Sequence, residues 1–163
     1  MVSLALRSPD GPRRAGEAVP LEVELRNEGD RELWMVGVVG GSEEGVRYPR
    51  YRPSVTLEGS VVAQPPPPED PLVGPLRVAD FRRLAPGEAF DPTAGMPLAT
   101  FANLRPAEPG IYRYALELST ESERPEQWLG SFGQEQDREA VLELIARVPR
   151  LTVRSNDLDV EVG

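Results

Sequence analysis

Histidine, cysteine and lysine are all absent from the sequence; all 18 of its basic residues are arginine. Each absence closes a route to chemistry. Without imidazole, no ordinary side chain changes charge near neutral pH to shuttle a proton. Without a thiol or an amine there is no cysteine nucleophile and no Schiff base. Zinc loses its nitrogen and sulfur ligands, and disulfide staples are excluded. Long apolar runs are missing too: none approaches the ~20 residues of a membrane-spanning helix. Met1-Val2-Ser3-Leu4 does not lead into the apolar centre of a secretory signal. The expectation is a cytoplasmic protein without cofactor or metal that works by contact. With isoleucine at only Ile111 and Ile145, and with abundant arginine, proline and glycine, the composition suggests a GC-rich genome. Codon bias then accounts for part of the missing lysine.

What is present fits one domain, residues 1–163. A globule of this size buries about 70% of its unfolded surface and needs no staple. The net charge of −9 argues against nucleic acid, whose phosphates demand basic surface. Residues 119–163 alone carry −5, so the acidity is concentrated near the C-terminus.

Strand patterns dominate. Val2, Leu4 and Leu6 alternate with small or polar neighbours, and Pro9-Asp10-Gly11-Pro12 interrupts the pattern. Val19, Leu21, Val23 and Leu25 give the cleanest two-residue period. Asn27-Glu28-Gly29-Asp30 then reads as a tight turn into an apolar strand from Leu33 to Val39, which predicts a hairpin. Further strands are expected over Ser54–Val62, Leu76–Leu84, Ile111–Ser119 and Leu151–Val162, with Phe90–Leu104 as a poorly paired edge segment. Gln64 to Pro71 holds four consecutive prolines and reads as a rigid polyproline connector. One stretch departs from this rhythm. Val141, Leu142, Leu144, Ile145 and Val148 follow helical spacing, predicting an amphipathic helix over Glu135–Arg147 that ends at Val148-Pro149. It lies within an insertion at about 121–149, before the last strand.

Several pieces carry a resemblance: Val19–Asp30, Leu84-Ala85-Pro86-Gly87-Glu88, Pro109-Gly110-Ile111-Tyr112 and Ser155-Asn156-Asp157-Leu158-Asp159-Val160. Together they resemble a bacterial immunoglobulin-like β-sandwich domain, and more weakly the intracellular proteinase-inhibitor domains of bacteria. The resemblance implies an all-β, immunoglobulin-like antiparallel β-sandwich; the one amphipathic helix inserted before the last strand departs from its simple pattern. The resemblance also implies a tyrosine corner at Tyr112. The absence of cysteine departs from the antibody-type disulfide. An architecture of this kind does not name an activity.

Two segments are candidate contact surfaces. Arg47-Tyr48-Pro49-Arg50-Tyr51-Arg52 concentrates arginine and tyrosine, the types enriched in binding hot spots, and would suit an acidic or aromatic partner. Its alternative is internal, with arginines stacked on the protein's own aromatics. In the insertion, Trp128 and Phe132 sit among acids that include Glu135, Glu139 and Glu143, an arrangement suited to a basic partner. There the alternative is that the aromatics pin the insertion to the sandwich. The carboxylate pairs Glu43/Glu44, Glu69/Asp70 and Asp157/Asp159 lack the spacing of a calcium loop and are expected to face water. No catalytic residue is expected. The reading is a non-catalytic protein-binding or assembly module of inhibitor or immunity type, its partner another protein rather than nucleic acid or membrane. A carbohydrate-binding sandwich is the rival, and it requires Trp34, Trp128, Tyr48 or Tyr51 on an open face. Trp34, within an apolar strand, is expected in the core.

Overall fold

The computed structural model describes residues 1–40, 42–43, 45, 47–65, 76–130 and 137–163. Among these the strands are β1 (Val2–Arg7), β2 (Glu22–Asn27), β3 (Leu33–Val36), β4 (Arg50–Leu57), β5 (Ser60–Ala63), β6 (Phe81–Leu84), β7 (Ala89–Phe90), β8 (Gly110–Ser119), β9 (Thr152–Arg154) and β10 (Leu158–Val162). The helices are α1 (Ala99–Asn103) and α2 (Arg138–Arg147). The fold is all-β, antiparallel and sandwich-like. One sheet has the order β1-β2-β7, the other β10-β8-β4-β5 with β9 also paired to β8, and β3 and β6 form a separate ribbon.

Alternation along the strands fills the space between the sheets. Val2, Leu4 and Leu6 of β1 and Val23 and Leu25 of β2 point inward, as do Tyr51, Pro53 and Val55 of β4 and Tyr112, Tyr114, Leu116 and Leu118 of β8. All of these except Pro53 belong to one hydrophobic core that also takes in Trp128, Val141 and Ile145 of the insertion. An amide clasp joins the sheets at one edge. Asn156 Oδ1 accepts the Leu6 N–H at 2.8 Å and Asn156 Nδ2 donates to the Leu6 carbonyl at 3.1 Å, so a side chain occupies the place of a neighbouring strand on β1. Beside it, Ser155 donates its N–H to Leu116 O at 2.8 Å and accepts the Leu116 N–H on Oγ at 2.9 Å.

The strand expected over Leu151–Val162 is therefore two strands on the same neighbour, separated where Ser155 and Asn156 bond sideways. The expected hairpin around Asn27-Glu28-Gly29-Asp30 does not form. Both edges of β2 are taken, by β1 and by β7, so the backbone crosses over instead to pair β3 with β6. Asn27 holds this crossing. It is fully buried, and its Nδ2 donates to Arg31 O at 2.8 Å and Leu84 O at 3.0 Å while its Oδ1 accepts the Gly29 N–H at 2.9 Å. The Asn27 carbonyl accepts the Gly87 N–H at 2.8 Å, fastening the Leu84–Glu88 turn to the same point.

Other boundaries move as well. The strand expected over Ser54–Val62 starts at Arg50 and folds back at Glu58-Gly59, both at positive φ, giving the β4–β5 hairpin. Leu76–Leu84 keeps only β6, preceded by a 3-10 turn at Val78–Asp80 that Asp80 closes by accepting the Arg77 N–H at 2.8 Å. The edge segment Phe90–Leu104 contains the short helix α1. Pro66 to Pro71 of the polyproline connector lie outside the described residues.

The insertion is closed at its base by Thr120 and Leu151. The Thr120 N–H donates to Leu151 O at 2.9 Å and the Leu151 N–H donates to Thr120 Oγ1 at 2.9 Å. Inside it, α2 buries Val141 and Ile145 and ends at the extended Val148, as the spacing and the following proline predict.

Candidate functional site

The segment Arg47–Arg52 splits between core and surface because β4 begins at Arg50. Tyr51 is fully buried, Tyr48 and Arg47 are buried, Arg50 is half-buried and Arg52 is exposed. Burial removes Arg47, Tyr48 and Tyr51 from the contact surface expected of them. Arg47 turns inward to donate from Nε to Gly40 O at 2.8 Å, with Nη2 on the same carbonyl. Burial lowers its pKa from the ordinary arginine value, and the Asp80 carboxylate acts in the opposite sense.

Trp128, also expected as a contact residue, is fully buried and belongs to the same internal assembly. Its ring stacks on Tyr48 with centroids 5.9 Å apart, and its Nε1 donates to Ser122 Oγ at 2.7 Å. The Arg50 guanidinium lies 4.4 Å from the Tyr48 centroid and the Arg150 guanidinium 5.0 Å from that of Trp128. The order is arginine, tyrosine, tryptophan, arginine. Cation–π attraction holds each outer layer. Arg150 also donates to Ile145 O at 3.0 Å and Val148 O at 2.8 Å, capping the end of α2. Glu139 is exposed on α2, and so is Glu143; Phe132 and Glu135 lie outside the described residues.

Arg50 and Arg52 meet again in an open groove of about 520 Å³ on the outer face of the β10-β8-β4-β5 sheet. Arg52, Glu117 and Arg154 stand in register across β4, β8 and β9 and form its floor. Ser42, Glu43, Arg50, Ser54 and Pro65 line its sides. The groove exists because β5 covers β4 only from Val55 to Leu57. Leu116 uses both backbone groups on Ser155, so Pro53 opposite it turns its backbone away from β8, toward the uncovered edge. Proline has no N–H to recruit a further strand there.

The groove is cationic in a −9 protein. Among the described residues its lining holds three arginines and two glutamates, a formal +1. One glutamate is already engaged: Glu43 accepts the N–H groups of Ala99 at 2.8 Å and Thr100 at 2.6 Å at the start of α1. Arg154 leans toward Asp157, Nη2 to Oδ1 at 3.2 Å. None of the ion pairs among the described residues includes Glu117. Ser42 is 1% exposed, yet its Oγ finds no hydrogen-bond partner among the described residues, and neither does the buried Nε of Arg50. Leaving a buried donor unmatched costs about 1–3 kcal/mol.

The remaining carboxylates of interest are structural or solvated. Asp157 and Asp159 face outward, and Asp159 accepts from Arg113 Nε at 2.9 Å. That hydrogen bond lowers the Asp159 pKa and raises that of Arg113. Glu44, Glu69 and Asp70 lie outside the described residues. Among the described residues no three carboxylates converge on a metal-sized site, and no helix is long and apolar enough to cross a membrane. Trp34, expected in the core, is half-buried with the Arg83 guanidinium 5.9 Å from its ring centroid.

Of the groove residues, the sequence pointed to Arg50 and Arg52 and placed Ser42, Glu117 and Arg154 in no site; Glu43, expected to face water, is half-buried with its carboxylate on the start of α1. Glu117 and Arg154 carried one signal, their outward place in an alternating strand. Their meeting with Arg52 depends on strand order, which no local pattern states. Comparison of this protein with protein-family models and with curated proteins finds no match.

Proposed function

We propose that this protein is a non-catalytic binding module that holds another protein through the groove on its second sheet. The observation that carries the reading is the cationic lining around Arg50, Arg52 and Arg154 in an acidic protein. Such a surface favours an acidic segment and repels basic ones, so charge sets partner choice and speeds encounter. The lack of histidine, cysteine and lysine supports a role without catalysis. Carbohydrate binding is weaker, because no aromatic side chain is among the exposed large apolar residues described.

The sandwich itself we read as immunoglobulin-like. The orders β1-β2-β7 and β10-β8-β4-β5 support this, since they match an A-B-E sheet facing a G-F-C-C′ sheet. Tyr112 supports it too: its hydroxyl donates to Glu108 O at 2.8 Å, the geometry of a tyrosine corner.

A second reading rests on Glu139 and Glu143, one helical turn apart and both exposed, as a surface for a basic target of an inhibitor or immunity-type protein. Affinity capture with Arg52→Glu and with the Glu139→Arg/Glu143→Arg double variant separates the two. The groove reading expects salt-sensitive partners to be lost with Arg52→Glu and kept with the double variant. The reverse pattern favours the helix, and capture indifferent to both variants overturns both readings.

A further inference from the structure

We infer that the groove contains a seat for a single carboxylate, formed by Ser42 and Arg50 and flanked by Arg52 and Arg154. This rests on the groove being the contact surface and specifies what it recognises. Two observations converge on it. The Ser42 Oγ and Arg50 Nε are buried at the groove wall with no partner among the described residues. Both are donors, and an incoming oxygen anion would satisfy them together; a carboxylate offers two oxygens and accepts from a guanidinium in its plane. The net charge of the lining then selects the ligand. The formal +1 of the described lining balances a monoanion. A phosphate dianion would instead set its second charge against Glu117 and Glu43, both of which line the same groove.

Arg50 is held for this task from its other side. Its guanidinium lies on the Tyr48 ring, which rests on Trp128, so the plane of the fork is set before any ligand arrives. Pro53 and Pro65 of the lining add no backbone N–H of their own that would compete for the anion. The carboxylate is that of an aspartate or glutamate side chain, or the terminal carboxylate, of the bound protein.

The test is a titration of the ¹⁵N-labelled protein at fixed ionic strength, read at the arginine Nε–H resonances. The probes are acetate, inorganic phosphate, an acetylated and amidated tripeptide with a central glutamate, and acetylated trialanine with a free terminal carboxylate. Saturable shifts of Arg50 Nε–H with acetate are expected in the parent, and the acetate affinity read at the Arg52 and Arg154 Nε–H resonances should fall about tenfold in Arg50→Gln and detectably in Ser42→Ala. Whichever tripeptide binds more tightly identifies the source of the carboxylate. Arg52→Gln, at an exposed position, provides a variant whose weakened binding does not depend on core packing. Absence of saturation, tighter binding of phosphate than of acetate, or affinity unchanged in all three variants overturns the seat. If acetate fails to bind while Arg52→Glu still abolishes partner capture, the contact surface stands and only the carboxylate seat falls.

Discussion

Tyr48 and Trp128 stack at 5.9 Å with 29° between their planes, joining the two segments that the sequence offers as separate contact surfaces. The Tyr48 N–H reinforces the joint by donating to Gln127 O at 3.0 Å. Arginine and tyrosine in the first segment, and tryptophan in the second, are thus largely taken up in holding the insertion onto the sandwich.

Trp128→Ala should remove this joint. Deleting a fully buried tryptophan costs about 3–5 kcal/mol, to be read as a lower urea midpoint, with Trp128→Phe losing less. Trypsin should also cut faster at Arg138 and Arg147 in the alanine variant, because the insertion loses its plug. Cleavage as slow as in the parent would show that α2 alone anchors it.

Asn27 is the second vulnerable point. Asn27→Ala strands the buried Leu84 carbonyl, a loss of about 1–3 kcal/mol for each unmatched group. Asn27→Asp should be worse at neutral pH, since a carboxylate would face two carbonyl oxygens, and should recover as acid protonates it. The sign follows from linkage: the folded state disfavours the ionised form, so its pKa rises and stability falls as pH increases through it. Chemical denaturation at two pH values distinguishes the variants.

Tyr51 and Tyr114 should ionise late. Burial raises the pKa of both, that of Tyr114 to about 12, with Asp91 adding to the effect at Tyr51. A raised folded-state value means the stabilisation is complete below pH ~10, where the unfolded phenol begins to ionise, and is lost as pH climbs toward 12. Tyrosinate absorbance should show a late, unfolding-coupled phase that shrinks in Tyr114→Phe. Neither hydroxyl has a hydrogen-bond partner among the described residues, so Tyr51→Phe should leave stability unchanged or higher.

Asn156→Ala should loosen the sandwich at the β1 edge. Two hydrogen bonds to Leu6 disappear, worth about 0.5–1.5 kcal/mol each. Amide exchange at Leu6 should accelerate more than exchange at Leu4; equal acceleration at both would point to global destabilisation.

By itself the sequence determined the class of structure and the excluded chemistry. Period-two alternation in Val2–Leu6 and Val23–Leu25 states which face is buried, because strand geometry is local. The helical spacing of Val141 and Ile145, and the stop at Val148-Pro149, are local in the same way. Missing histidine and cysteine are readable without any fold. Tertiary structure decided the rest. Asn27-Glu28-Gly29-Asp30 has hairpin chemistry, but β7 arrives from a distant part of the sequence to occupy the edge of β2, and a turn has no means of registering that competition. Tyr51 looks like a contact residue until β4 begins at Arg50 and alternation turns its ring inward. The groove is the clearest case. Arg52, Glu117 and Arg154 come from three strands, and they share one face only because sheet order places β8 between β4 and β9.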